Sequence, residues 1–472
     1  MSAGAILADA APARDAVAQR TPRRSAGTLA AAVLLGGAVA AAFGGAGAVV
    51  HLAFAPAAVL LAVWLLARDD HVGYLELTLW LWLVGPGVRR IVDFTSTFHP
   101  QSPVLTAAFL VSLVGLPVAL AQRQRVARGI RIAFFLGFAC VAYATVAGLL
   151  LNPFAAVAAS LLTWLAPIAL GFFVVMTPAP WLELRGMLLR VVVWGLLILG
   201  GYGVAQWFLV PAWDAFWLER IGDAGRSFGQ PAPTEVRIWS LSNGPGPLAG
   251  LLVFLLLCLS AVARRGLMPV ALVVGGLALA LSSVRAAWIA VGLGLLLVAW
   301  RGQVRLLRTA VIVVAVVIGF AVAGGPIADQ VSDRARTFVS GREDESARAR
   351  LRFQALAVPA AISDPVGRGM GSTGAGVRFS GQGARAAFAD TDSGFLEVLR
   401  TFGAVAGVML LAGVLLPCLG AFILVRQADA LVIAVSAALA VVPVSMVFGN
   451  ALGLTTWLAM AIVGREDARA GR

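Results

Sequence analysis

The side chains in this 472-residue sequence best suited to bond chemistry are one carboxylate and a set of guanidinium groups. Asp392 lies in DTDSGFLEVLRTFG, residues 390–403, just before a long apolar run. Asp392 or Ser393 can cap the helix that follows, and Asp392 is also placed to take a proton from a hydroxyl. Glu397 and Arg400, three residues apart, can pair on one helix face. Arg285 lies in SSVRAAW, residues 282–288, between two apolar windows with almost no polar loop around it. An arginine near hydrocarbon costs about 2.5–3.5 kcal/mol unless it snorkels or meets an anion. Arg237 opens RIWSLSNGPGPLAG, residues 237–250, where Ser, Asn and Gly before a helix either cap it or leave its first amides facing a phosphate. Arg348 and Arg350 follow the acidic run 343–345.

Arginines opposite one carboxylate suit the transfer of a sugar from a lipid-linked pyrophosphate. Planar guanidinium forks neutralise the charge that develops on a diphosphate leaving group, and the carboxylate activates the acceptor hydroxyl. The one acidic pair spaced as DxD, Asp390 and Asp392, stands apart from any other metal ligand, so transfer without a metal or other cofactor is expected. His51, His71 and His99 are scattered, with no HxxxH or HExxH spacing, and the sequence offers no zinc motif.

The elements that must position these groups follow from composition. The chain is 60% hydrophobic and 12% charged, against about 25% charged in soluble domains, and its mean hydropathy is +0.92. Apolar windows of about 16–25 residues recur from residue 27 to residue 464, each near the length needed to cross hydrocarbon. They lack the alternation of barrel strands. The expected fold is an all-α polytopic membrane protein with about fourteen transmembrane helices (12–14). Among the expected spans are 27–46, 50–68, 72–88, 131–150, 153–176, 188–209 and 306–323.

Every one of the 36 cationic side chains is arginine, and the net charge is +13. Most arginines in short connections fall on one side if both termini are cytoplasmic, as the positive-inside rule requires. Arg89 and Arg90 are the main exception. The expected layout is a cytoplasmic tail 1–26, helices within 27–209, an outer loop 210–245, helices within 246–323, a large catalytic outer loop 324–394 between the eleventh and twelfth spans, helices within 395–464 and a cytoplasmic tail 465–472. The glycine-rich GRGMGSTG at 367–374 reads as coil with exposed backbone amides. Three cysteines fall within spans and read as packing residues. No basic domain exists to hold nucleic acid.

Five pieces occur in order: RIWSLSNGPGPLAG, SSVRAAW, EDESARARLRF at 343–353, SDPVGRGMGS at 363–372 and DTDSGFLEVLRTFG. In these the chain resembles the O-antigen ligase and polymerase superfamily, the Wzy and WaaL type of integral membrane glycosyltransferase. The resemblance spans about residues 237–424. It implies a GT-C-like fold, a substrate of undecaprenyl-pyrophosphate-linked glycan, and a place in the bacterial cytoplasmic membrane. It implies also that Arg285 and Arg350, with Arg237 beside them, bind the pyrophosphate. Ser393, Glu397, Arg400 and Arg348 are supporting residues, and the flippase and chain-length regulator of such a pathway are the expected partners.

The ligase branch has a histidine at the start of its final motif and GxxG nine residues beyond the residue after it. Here Asp392 holds the histidine position and GAVA at 403–406 replaces GxxG. That departure favours a repeat-unit polymerase over a ligase. A transporter is the rival from another class, but no internal repeat of the kind common in transporters is visible.

Overall fold

The computed structural model describes residues 26–260, 266–301, 355, 357–379, 393–424, 429–447 and 449–469. These are helical in the main, with no strand among the described residues beyond two isolated bridges. Helices satisfy their own backbone polar groups, which a chain in hydrocarbon requires. Among the described residues, six stretches are long and apolar enough to cross a membrane: Gly27–Ala67, Pro103–Ala121, Arg128–Leu151, Phe154–Met176, Trp181–Leu209 and Gly394–Gly420. Five apolar helices are shorter. The protein is a multi-pass membrane protein, and its surface carries large exposed apolar side chains such as Leu52, Leu150, Phe154 and Trp300 where lipid would lie. The expected span 306–323 and most of the loop after it lie outside the described residues.

The first helices form one unit. α1 (Gly27–Ala41) and α2 (Gly47–Ala67) are separated at Gly45, whose φ of +87° is left-handed, and both pack on α3 (His71–Thr95). Asp70 caps α3 by accepting from the Gly73 amide at 2.7 Å. The expected span 72–88 stops short of where this helix ends, because hydropathy falls at Arg89, Arg90 and Asp93. All three are buried and partnered inside the protein, so the helix continues. Arg89 and Arg90 are therefore helix residues with internal partners rather than loop charges, which removes the reason to weigh them in the positive-inside count.

The same logic extends α8 (Trp181–Leu209) beyond the expected start at 188. Its first turns carry Arg185, bridged to Asp429 at 2.6 Å, and Arg190, bridged to the buried Glu76 at 2.7 Å. Between α3 and α8 lie α4 (Thr106–Val114), α5 (Leu116–Ala121), α6 (Arg128–Leu151) and α7 (Phe154–Met176). Beyond α8 come α9 (Ala212–Arg220), α10 (Pro245–Ser260), α11 (Met268–Leu281), α12 (Arg285–Trp300), α13 (Gly394–Leu424), α14 (Ala430–Ala440), α15 (Val442–Met446) and α16 (Leu454–Gly464). α11 lies along α8, α13 along α6 and α16 along α7. Cys140, Cys258 and Cys418 are buried free thiols in this core.

Candidate active site

Two polar assemblies lie where the connections between helices fold back on the bundle. The first is built on Arg90. Its Nε donates to Asp214 Oδ1 at 2.6 Å, its Nη1 to the Ser242 carbonyl at 2.6 Å and its Nη2 to the Ser240 carbonyl. Asp214, wholly buried on α9, also accepts from Tyr202 Oη at 2.8 Å and Gln206 Nε2 at 2.6 Å. Gln206 Oε1 in turn accepts from the amides of Trp239 and Ser240. A buried ion pair is tolerable only when its remaining donors and acceptors are met, and here they are. The network ties α3, α8 and α9 to residues 239–242.

The 210–245 segment is thus a folded wall rather than a bare connection. α9 buries Trp217 and Leu218, Trp217 stacks near Phe228 and Trp239, and Arg90 holds the far end. Arg237 leans from this wall onto the turn between α11 and α12. It donates to the carbonyls of Ser282 at 3.3 Å, Ser283 at 3.4 Å and Ser227 at 3.0 Å. Arg285, half-buried, opens α12 two residues after Ser283. Ser240 and Ser283 both take left-handed φ, +49° and +54°. Such backbone costs about 1–3 kcal/mol per residue and persists where neighbours over-determine it, as at ligand sites.

The second assembly joins residues 363–379 to α13. Arg368 and Gly369 donate their amides to the carbonyls of Arg400 and Thr401 at 2.8 and 3.0 Å, and Met370 donates to Ala144 at 2.8 Å. The amides that begin the glycine-rich run are therefore consumed by neighbouring helices, which corrects the expectation that they lie exposed. They are needed there because α13 breaks at Gly403, φ +79° and ψ 170°, which frees carbonyls one turn earlier. Asn152 Nδ2 and Tyr143 Oη hold the same run through the carbonyls of Arg368, Met370 and Val366. Thr373 and Thr401 hydroxyls meet at 2.7 Å.

Gly403 allows no substituent. A Cβ there would run into the Pro365 carbonyl oxygen and the Val366 backbone, and its φ and ψ are essentially glycine-only. Gly403→Ala is expected to destabilise the protein by about 2–4 kcal/mol from overpacking and strain together. A fall in the thermal midpoint of the detergent-purified protein checks it.

Of the sequence-predicted site residues, Arg237 bonds the Ser282–Ser283 turn, which immediately precedes the helix that Arg285 opens. Ser393 is buried immediately before α13, and Glu397 and Arg400 are half-buried on its first turns. Arg400 lies within electrostatic reach of Arg368 and Asp364, which face each other at 3.5 Å. α12 and α13 both pack on α15, so the two assemblies border one short helix. Asp392, Arg350 and Arg348 lie outside the described residues. Arg90, Asp214, Arg368 and Asp364 were not singled out from sequence as site residues. For Arg368 and Asp364 the signal was present in the DPVGR run, whereas nothing local marks Arg90 and Asp214 as partners.

Residues 270–411 match the family model described as O-antigen ligase. The matched segment begins in α11 and reaches into α13, taking in Arg285, Arg348, Arg350, Asp392, Ser393, Glu397 and Arg400, with Arg237 before it. No curated protein matches the chain. The chain carries, from α11 to α13, a domain of the O-antigen ligase and polymerase superfamily.

Proposed function

We propose that the protein polymerises undecaprenyl-pyrophosphate-linked oligosaccharide repeat units by glycosyl transfer at the outer face of the bacterial cytoplasmic membrane, with both termini inside. The observation that carries this reading is the seating of Arg237 on the turn that presents Arg285, within and beside the segment matched to a lipid-linked-glycan family. Arg285 and Arg350, with Arg237 supporting, bind the pyrophosphate and neutralise it as it leaves. Asp392 takes the proton of the acceptor hydroxyl as that oxygen attacks the anomeric carbon. Proton transfer and charge neutralisation account for the chemistry, and the reading needs no metal or cofactor. A flippase would deliver the substrate, and a chain-length regulator would act on the product.

The test is glycan length in a deletion strain carrying wild type or Arg285→Ala at equal membrane abundance. Long glycan from wild type and single-repeat material from the variant is the expected result. Transfer of the glycan to its final acceptor is the second reading, favoured by the description of the matched family. It predicts that Arg285→Ala leaves long polymer stranded on the carrier. Unchanged glycan in the variant overturns both.

A further inference from the structure

Two of the three histidines, 48 positions apart in sequence, meet around Asp93. His51 on α2 and Asp93 near the end of α3 are 4% and 0% exposed, and the His51 and His99 rings stand 4.2 Å apart. One ligand atom from each of the three residues lies within 4.8 Å of the other two. No sequence spacing announces this, because the residues come from α2, α3 and the connection 96–105.

The surrounding hydrogen bonds leave one acceptor on each residue. His99 Nδ1 sits 2.7 Å from the Thr97 carbonyl, so that nitrogen carries the proton and Nε2 keeps its lone pair. His51 Nδ1 lies 3.3 Å from Ser102 Oγ, while its Nε2 points at Asp93 Oδ1, 3.4 Å away. Arg89 takes the other carboxylate oxygen, Oδ2, at 2.7 Å, and the His99 carbonyl at 2.6 Å. His51 Nε2 and Asp93 Oδ1 are buried and meet each other at 3.4 Å without a well-aligned hydrogen bond. Native proteins rarely leave such groups so, and a bound ion is one of the standard reasons.

We propose that His51, Asp93 and His99 form a site for a single zinc ion, which pins the 96–105 connection onto α2 and α3. Two ligands about 2.1 Å from a tetrahedral ion stand about 3.4 Å apart, the spacing His51 Nε2 and Asp93 Oδ1 already have. Two imidazoles and one carboxylate with a fourth position for water are a common zinc set. The oxygens on both Nδ1 atoms are the outer partners that orient ligating histidines. Arg89 holds the carboxylate and the His99 backbone from behind, and its charge weakens the ion's binding without occupying its ligands.

The clamp matters to the candidate active site because Gln101 Nε2 donates to the Arg378 carbonyl at 3.0 Å. The pinned connection thereby braces the 3-10 turn Gly374–Phe379, which follows the run bonded to α13. No step of glycosyl transfer passes through the ion.

The test uses the untagged full-length protein in detergent, stripped with chelator and titrated with zinc alone. One zinc per chain with a raised thermal midpoint is expected for wild type, and His99→Ala should bind at least about tenfold more weakly. His99 is solvent-facing, so this variant should keep the apo protein's unfolding midpoint, whereas Asp93→Asn disturbs Arg89 as well. Ser102→Ala, acting through His51, should weaken binding by about tenfold. Failure of wild type to take up stoichiometric zinc, or undiminished uptake by His99→Ala, overturns the proposal whether or not the protein is a polymerase.

Discussion

Asp392→Asn is expected to lower glycosyl transfer by about 10²–10⁴-fold, the usual contribution of a positioned general base. The asparagine keeps the shape and capping ability of the aspartate but cannot take a proton. The neighbouring backbone is held firmly enough for the comparison to be fair. Ser393 is buried, the Glu397 amide bonds to the Ser393 carbonyl at 3.1 Å, and the α13 start abuts Gly449 and Asn450 so closely that Gly394 has no room for a side chain. The measurement is the initial rate of purified enzyme on a lipid-linked repeat unit, with folding checked by thermal midpoint. Asp392→Glu should retain part of the activity. An unchanged rate in Asp392→Asn removes this residue from the mechanism while leaving the arginine site standing.

The second large effect is on stability. Arg90→Met leaves Asp214 buried without its cation, and breaking a buried pair from one side costs about 3–5 kcal/mol. That is a large part of the 5–15 kcal/mol by which folded proteins are typically stable. The folded yield and thermal midpoint in detergent should fall sharply. Adding Asp214→Asn removes the stranded charge while keeping an acceptor for Tyr202 and Gln206, so the double variant should recover part of the midpoint. Glycan synthesis should stay low in both, because the carbonyls of Ser240 and Ser242 still lack their donor and the wall carrying Arg237 loosens. Recovery of activity along with stability would mean that Arg90 serves the fold alone.

Some of this was legible from the residues in chain order. Hydropathy is a local sum, so apolar runs such as Arg128–Leu151 and Phe154–Met176 declare themselves as helices with boundaries within a few residues of those observed. The family segment was legible too, because its motifs are short runs around Arg285 and Asp392 that need no knowledge of what lies opposite. Local sums failed where charge is buried. The drop in hydropathy at Arg89, Arg90 and Asp93 reads as the end of a span, but the helix runs to Thr95 because partners met in space remove the penalty. The glycine-rich run at 367–374 reads as open coil for the same reason, since nothing nearby in sequence shows that the break at Gly403 frees carbonyls for its amides.

The chain by itself determined a helical membrane protein carrying an arginine-rich segment similar to the O-antigen ligase family, because apolar periodicity and short motifs are written in consecutive residues. The tertiary structure alone decided that Arg90 clasps Asp214 across 124 positions, that Arg237 rests on the turn before Arg285, and that His51 and His99 share Asp93. Ion pairs, hydrogen bonds and metal-ligand sets depend on distances of about 3 Å, and only packing of the helices sets those distances.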